Sequence, residues 1–347
     1  TTILISVQDI SPTNIRYEPY LLDLTVNEEM SNLSPSWSDG TPESWEISPN
    51  LPQGLTLNPY NGEISGTPIY VQESMDYQIW ANNTGGFTET QISISISSLP
   101  PDEIYWPESE YILRSNTSVL IPVINNGPYI DTWEVSPSLP SGLIILDNGT
   151  ISGIPDSRTD WNEYTIWANN TGGAVGLIIW IVAHDLRADQ NDLLRGMSEA
   201  DFGGWPSPIL PIGEWAFPVA FESSGIPVVS ASHVGKGKIL GYGHESWVDA
   251  NHPFSLRAVE WVCGENAEVG LAYGAGFDDF ENKLQDAGHN VHLSVTPSDL
   301  TGIDCLLDEF WNGHDDNDNA ALVDFMNSGG GVIMGGHAWY WSYSNTD

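Results

Sequence analysis

The sequence predicts a multidomain chain, with tandem all-β sandwiches followed by a doubly wound α/β domain. Three observations lead there. A tryptophan-centred segment occurs twice, at residues 45–86 and 133–173. Apolar/polar alternation fills the stretches on either side of the first copy's turn. Beyond residue 184 the pattern changes to helices alternating with short apolar strands.

The repeat comes first. W-E-I-S-P-N-L-P-Q-G-L, N-G-E-I-S-G-T-P and Y-Q-I-W-A-N-N-T-G-G return as W-E-V-S-P-S-L-P-S-G-L, N-G-T-I-S-G-I-P and Y-T-I-W-A-N-N-T-G-G. Trp45 returns as Trp133, 88 positions on, and Trp80 as Trp167, 87 on. The missing residue lies in the turn at 58–62, whose counterpart is one residue shorter and includes 147–149. Self-similarity at a fixed period marks a repeated folding unit. Tyr77, Ile79 and Ala81 alternate with Gln78, Trp80 and Asn82, the period of a half-buried strand. Asn-Asn-Thr-Gly-Gly supplies positive φ cheaply and reads as a hairpin turn. The return strand alternates Ile92, Ile94, Ile96 against Ser93, Ser95, Ser97. Prolines in Leu-Pro-x-Gly-Leu and Ser-Gly-x-Pro force corners, because a central strand needs the donor that proline lacks. Short strands with turn signals every roughly 8–12 residues argue for a sandwich. Trp45 and Trp133 read as core anchors.

Leu51-Pro52-Gln53-Gly54-Leu55 with Gly62-Glu63-Ile64-Ser65-Gly66-Thr67-Pro68 resembles the immunoglobulin-like repeat of bacterial and archaeal surface proteins, often grouped with cadherin-like domains. Leu139-Pro140-Ser141-Gly142-Leu143 with Gly149-Thr150-Ile151-Ser152-Gly153-Ile154-Pro155 repeats the match. The resemblance implies Ig-like sandwiches over residues 10–98 and 99–184. Residues 1–9 align with 90–98 and are expected to be the last strand of a preceding repeat, so the chain reads as a window cut from a longer polypeptide. An unpaired edge strand seeks a partner sheet, which makes donation between copies a candidate assembly mode.

Bulk composition narrows the function class. Nine basic and 47 acidic residues give a net charge of −38. Such a surface repels nucleic acid and anionic membrane, and neither is expected as a partner. Fifteen tryptophans and 40% hydrophobic content exclude disorder. The longest apolar run, residues 174–183, is about half a membrane span, so no membrane insertion is expected. No signal peptide is legible. Acceptors of the type Asn-x-Ser/Thr occur at Asn32, Asn82, Asn116, Asn148 and Asn169. They read either as chance in an Asn/Ser/Thr-rich sequence or as glycosylation sites of an extracellular, surface-located glycoprotein. Cys263 and Cys305 either form a disulfide, if their Cα atoms approach within about 7 Å, or remain buried free thiols.

The last strand of the second repeat, around residues 177–183, is apolar on both faces. That predicts burial of Ile178, Trp180 and Val182 against the domain that follows. Next come a helix at 188–200, strands at 217–221 and 227–232, and a hairpin at Gly235-Lys236-Gly237. Helices at 256–262, 277–287 and 320–326 alternate with strands at 269–272, 291–295, 303–307 and 331–334. This rhythm predicts a parallel sheet with helical crossovers.

The segments L-L-R-G-M-S-E-A-D-F, S-A-S-H-V-G-K-G-K-I-L-G-Y-G-H-E and S-G-G-G-V-I-M-G-G-H-A-W-Y-W resemble a particular domain. It is the class I glutamine amidotransferase-like domain of TRP channel-associated factors and of enhancin-type, mucin-directed zinc metallopeptidases. The resemblance implies a flavodoxin-like fold over residues 185–347, incomplete at its C-terminal end. It places the nucleophile position at Gly336, with His337 next. Glycine supplies no nucleophile. H-E-x-x-H is also absent, since Val248 follows His244-Glu245 where the second histidine belongs. The segment is therefore expected to be non-catalytic. Gly336, His337, His244 and Glu245 are the candidate pocket residues.

Calcium is the one cofactor candidate. Asp315, Asn317 and Asn319 have the spacing of a calcium loop, but Ala320 and Met326 replace its glycine and glutamate. A helix N-cap cluster is the competing and preferred reading. Asp23, Glu28, Glu29, Glu43, Glu46, Asp131 and Glu134 are further acids that a domain junction could gather. The functional expectation is an extracellular stalk, adhesion or filament segment, with copies of itself, surface proteins or glycans as partners. The alternatives are the non-catalytic forepart of a mucin-directed metallopeptidase, and a carbohydrate-binding module in which exposed tryptophans beside acids hold sugar rings.

Overall fold

The computed structural model describes residues 9–197, 199, 206–244, 253–272 and 278–336. The chain gathers into two compact units, Thr1–Ala183 and His184–Asp347. Of residues 1–9, read as the last strand of a preceding repeat, 1–8 lie outside the described residues.

The first unit holds two sets of sheets and two separate principal cores. In the first repeat, β1 (Leu21–Thr25), β2 (Ser44–Ser48), β3 (Leu55–Leu57), β4 (Ile64–Gly66), β5 (Gln72–Asn83) and β6 (Gly86–Ser97) form a four-stranded sheet, β1-β6-β5-β2, and the pair β3-β4. β5 and β6 are an antiparallel hairpin closed at Asn83↔Gly86, and β1 runs parallel to β6. Alternation decides the faces. Tyr77, Ile79, Ala81, Ile92, Ile94 and Ile96 are all buried and share one core with Tyr17, Trp45, Leu55 and Ile64. Trp45 lies on Gly62, whose φ is +75° and where a Cβ would stand 2.5 Å from the indole. Tyr17 meets Trp45 edge-on, and its hydroxyl donates to the Gly62 carbonyl at 2.6 Å. Burial raises the Tyr17 phenol well above its ordinary pKa.

The second repeat reuses this plan. It comprises β7 (Ile104–Tyr105), β8 (Glu110–Arg114), β9 (Val119–Ile121), β10 (Ile124–Asn125), β11 (Thr132–Ser136), β12 (Leu143–Ile145), β13 (Ile151–Gly153), β14 (Asn162–Asn170) and β15 (Gly173–His184). The main sheet is β11-β14-β15-β8. Trp133 sits over Gly149, φ +80°, and packs edge-on against Trp106. The shortened turn therefore preserves the ring-over-glycine contact. One expectation fails on β15: Val182 is buried and Trp180 half-buried, but Ile178 is 55% exposed. Ile178 lies on the sheet's outward face, opposite Thr165, so β15 is not covered on both sides along its length.

The second unit is a seven-stranded sheet of order β16-β17-β18-β22-β21-β19-β20. Its strands are β16 (Ala216–Phe221), β17 (Pro227–Val234), β18 (Gly237–Tyr242), β19 (Glu268–Ala272), β20 (Asn290–Val295), β21 (Cys305–Glu309) and β22 (Gly331–Gly335). β18, β22, β21, β19 and β20 are parallel, and β16-β17 is an antiparallel hairpin on one side. Pro218 falls on the edge strand beside a bulge, where its missing donor costs nothing. The strand expected from residue 303 begins at Cys305, because Gly302 turns with φ +73° and Asp304 caps the neighbouring backbone instead. Helices α1 (Leu186–Leu193), α2 (Pro253–Cys263) and α3 (Asp278–Asp286) pack on one face through Leu193, Ala258, Val259, Phe280 and Leu284. α4 (Asp316–Asn327) packs on the other through Leu322 and Met326.

Cys263, closing α2, is bonded to Cys305, opening β21, with Cα atoms 5.2 Å apart. The free-thiol alternative is thereby removed: no described cysteine is free. The bond closes a 42-residue separation, which in the chain-entropy picture stabilises the fold by about 4 kcal/mol. Replacing both cysteines with alanine is expected to lower the unfolding free energy of the second unit by about that amount, read from urea unfolding. An unchanged midpoint contradicts it.

Candidate functional site

In open α/β sheets, ligands bind beyond the carboxyl ends of the strands where the winding reverses. Here β19 leads outward through α3 to β20, whereas β21 leads the other way through α4 to β22. The reversal therefore lies between β19 and β21, and β21 carries its chemistry. Asp308, second from the end of β21, is fully buried opposite Met334. Its Oδ1 accepts from the Asn312 side chain and, at 2.7 Å, from the Glu309 N–H. Its Oδ2 lies 3.0 Å from His314 Nε2, and neither atom has an aligned hydrogen-bond partner. His314 Nδ1 faces Asp318 Oδ2 at 3.8 Å.

α4 starts beside this pair because Asp315 caps it. The Asp315 carboxylate accepts from the Asn317 and Asp318 N–H groups at 2.8 and 3.0 Å. Those bonds hold its pKa below the ordinary carboxylate value. Asp315 is thus committed to the helix end, and Asn317 lies within the first turn. Among the described residues no group of three or more His, Cys, Asp or Glu side chains is arranged to hold a metal ion.

Two of the sequence-derived pocket residues lie beyond the ends of neighbouring parallel strands, β22 and β18, which pair as far as Gly335 and Tyr242. Gly336 follows β22 directly with φ +115°, a conformation that side-chain-bearing residues rarely adopt. His244 follows β18. His337 and Glu245 lie outside the described residues. In the first unit a cleft of about 400 Å³ lies between the repeats, lined by residues including Asn27, Tyr70, Leu99, Tyr129 and Asp131. Asp131 is its single carboxylate, so Asp23, Glu28, Glu29, Glu43, Glu46 and Glu134 do not gather there. Of the glycosylation acceptors, Asn32, Asn116 and Asn148 are exposed and Asn82 half-buried. The Asn169 amide nitrogen is buried without a partner, and the Thr171 hydroxyl of the same acceptor takes the Ser98 N–H.

Sequence reasoning missed a second polar cluster. Asp189 on α1 is buried and accepts from Trp261 Nε1 at 3.2 Å. It also lies 2.8 Å from His233 Nε2. His184 stacks on His233 with ring centroids 3.6 Å apart, and Trp215 closes over it. Lys238 caps the Trp261 carbonyl at 2.7 Å and sits over its ring. These residues stand on separate elements, so no spacing in the sequence could reveal them. The Asp–His pair is walled in by aromatic rings, with Phe217 against Trp261, an arrangement suited to fixing packing. Burial, then the charge on His233, pushes the His184 pKa down to about 4.

A histidine depressed on folding stabilises the fold above its unfolded pKa of about 6.5 and loses that contribution as pH falls towards 4. The melting temperature of the second unit is therefore expected to drop between pH 6.5 and 4. His184→Gln should flatten this dependence, as followed by calorimetry. A slope identical in both proteins contradicts the assignment.

Two family models match. One described as "TRPM8, N-terminal domain" covers residues 173–347, and one described as "Putative Ig domain" covers residues 2–98. Human TRPM8 channel-associated factor 2 is 36% identical over 143 residues, 40% of this chain and 15% of that protein. The Bos taurus protein of the same name is 33% identical over 166 residues, 46% and 17%. A Xenopus laevis TRPM8 channel-associated factor homolog is 31% identical over 161 residues, 45% and 17%. The matched stretch is thus a small part of these relatives. Among solved structures, IMPa from Pseudomonas aeruginosa in complex with an O-glycopeptide aligns with a TM-score of 0.37 at 17% identity, covering 43% of this chain and 20% of that one. Sidekick-1 immunoglobulin domains 1–4 align with a TM-score of 0.29 at 17% identity, covering 51% and 48%.

Proposed function

The chain belongs to the family described as "TRPM8, N-terminal domain", and from that premise we propose that it is a non-catalytic adaptor segment of an extracellular or cell-surface protein. In this reading the Ig-like repeats serve as the stalk and an amidotransferase-like α/β unit as the docking module. The carrying observation is Gly336. It follows β22 directly with φ +115°, at the position where the amidotransferase-like reading puts a nucleophile, and it has no side chain to attack with. Asp308, a buried carboxylate on the neighbouring strand β21, accepts from the Asn312 side chain and lies against His314.

The relatives are, by name, channel-associated factors. A membrane channel or another surface protein is accordingly the kind of partner proposed for the α/β unit. The Cys263–Cys305 bond supports an oxidising, extracellular setting, since disulfides persist there and are rare in the cytosol. The exposed acceptors Asn32 and Asn116 support a glycosylated surface, whereas the buried Asn169 amide argues against modification at that position.

The test is turnover. The purified chain is expected to release no ammonia from glutamine above the buffer rate. Sustained, protein-dependent ammonia release by the unmodified chain overturns the proposal. For the surface reading, glycopeptide mapping after passage through a secretory pathway should find Asn32 or Asn116 occupied and Asn169 bare. Occupancy at Asn169 alone contradicts it.

A further inference from the structure

The outward faces of the two repeats differ at several positions, and one of these differences opens a flat aromatic surface. In the second repeat Trp167 stands directly opposite Gly176. A Cβ on Gly176 would lie 2.8 Å from one carbon of the Trp167 six-membered ring and 3.0 and 3.1 Å from its two neighbours. Distances so nearly equal place that point over the ring's face, because an edge-on approach would leave the neighbours markedly farther away. The indole is therefore laid flat on the glycine backbone, and it is 42% exposed. In the first repeat the equivalent pair is Trp80 and Glu89. There the glutamate occupies the place of the glycine, and Trp80 Nε1 donates to its carboxylate at 3.0 Å. One copy is tied down by a charged neighbour, and the other is bare.

The surroundings of Trp167 specify a chemistry. Glu134 of β11 lies directly opposite it on the other side, and Glu134 is exposed. Thr165 precedes it by two residues on the same face of β14, and the exposed Ile178 of β15 stands opposite Thr165. β11, β14 and β15 carry no lysine or arginine. The result is a planar apolar plate bordered by a hydroxyl and a carboxylate.

We propose that this outward face of the second repeat binds a neutral saccharide, with a pyranose ring stacked on Trp167. A pyranose presents C–H groups on its face and hydroxyls around its rim. The face suits a large exposed indole, and Ile178 extends the apolar contact. The rim hydroxyls donate to the Glu134 carboxylate, a charge-assisted bond stronger than a neutral one, and exchange hydrogen bonds with Thr165. Glu134, the absence of basic residues on these strands and the net charge of −38 disfavour sialylated or sulfated glycans. A cationic peptide could also stack on tryptophan. It needs only a point contact, whereas the plate of Trp167 and Ile178 matches a ring. The site stands on the first unit alone and is independent of the adaptor reading of the second.

The experiment is calorimetric titration of the full chain with cellohexaose, xylohexaose, maltohexaose and chitohexaose. At least one should bind. Trp167→Ala should weaken that binding about tenfold or more, and Gly176→Glu, which copies the first repeat, should weaken it comparably. Trp80→Ala should leave it within about twofold. Melting temperatures near that of the unmodified chain show that the surface variants fold. Gly176→Glu retains the tryptophan and guards against a structural effect of its loss. Binding of none of the four sugars overturns the proposal, as does undiminished binding by Trp167→Ala. Salt-sensitive binding of a lysine-rich peptide through Trp167, with no sugar bound, overturns it in favour of the cationic partner.

Discussion

The first unit depends on the register of two long hairpins, β5-β6 and β14-β15. Side chains alternate with a period of two, so a slip of one residue would turn Tyr77, Ile79 and Ala81 outward together with their isoleucine partners. The correct register buries these residues almost completely. It also fixes what lies on the other face: Trp80 beside Glu89, and Trp167 over Gly176. Core and surface are consequences of the same pairing, and the Asn-Asn-Thr-Gly-Gly turn sets where each pairing starts.

A second constraint is the place of glycine beneath an aromatic ring. Gly62 under Trp45 and Gly149 under Trp133 leave room for indoles that a Cβ would displace. Their positive φ values let the short turns close while the rings stay seated. The second repeat loses a residue in this turn without losing the contact, so the contact, rather than the turn length, is what the two copies share. In the second unit the parallel strands play the corresponding part. They bring Cys305 under the end of α2, and they carry Asp308 and Gly336 to the same edge of the sheet.

Much of this was legible in the sequence. The hairpins announce themselves because alternation and turn chemistry are local properties. The alternation of helix and strand after residue 184 is equally local, and it positions most elements of the sheet within a few residues. What the sequence does not show is what depends on packing between distant segments. The disulfide joins residues brought together only when α2 docks on the sheet. Asp189, His233, His184 and Trp261 converge from α1, β17, the end of β15 and α2, and none stands out in its own segment. His314 reads as part of an acidic helix cap, and its approach to Asp308 follows from the position of β21 in the sheet. Ile178 shows the opposite failure: an apolar residue in an apolar run remains exposed, because burial is decided by what lies across from it.

The register of the hairpins can be measured by cross-linking. Gln78 lies directly opposite Gln91, and the equivalent pair in the second repeat is Thr165 and Ile178. Cysteines placed at either pair should join readily under mild oxidation, because opposed Cβ atoms lie within reach of a disulfide. Pairs displaced by one residue, Gln78 with Ile92 or Thr165 with Leu177, point to opposite faces and should remain reduced. Equal or faster cross-linking of the displaced pairs would contradict the pairing on which the core and the surface plate both depend.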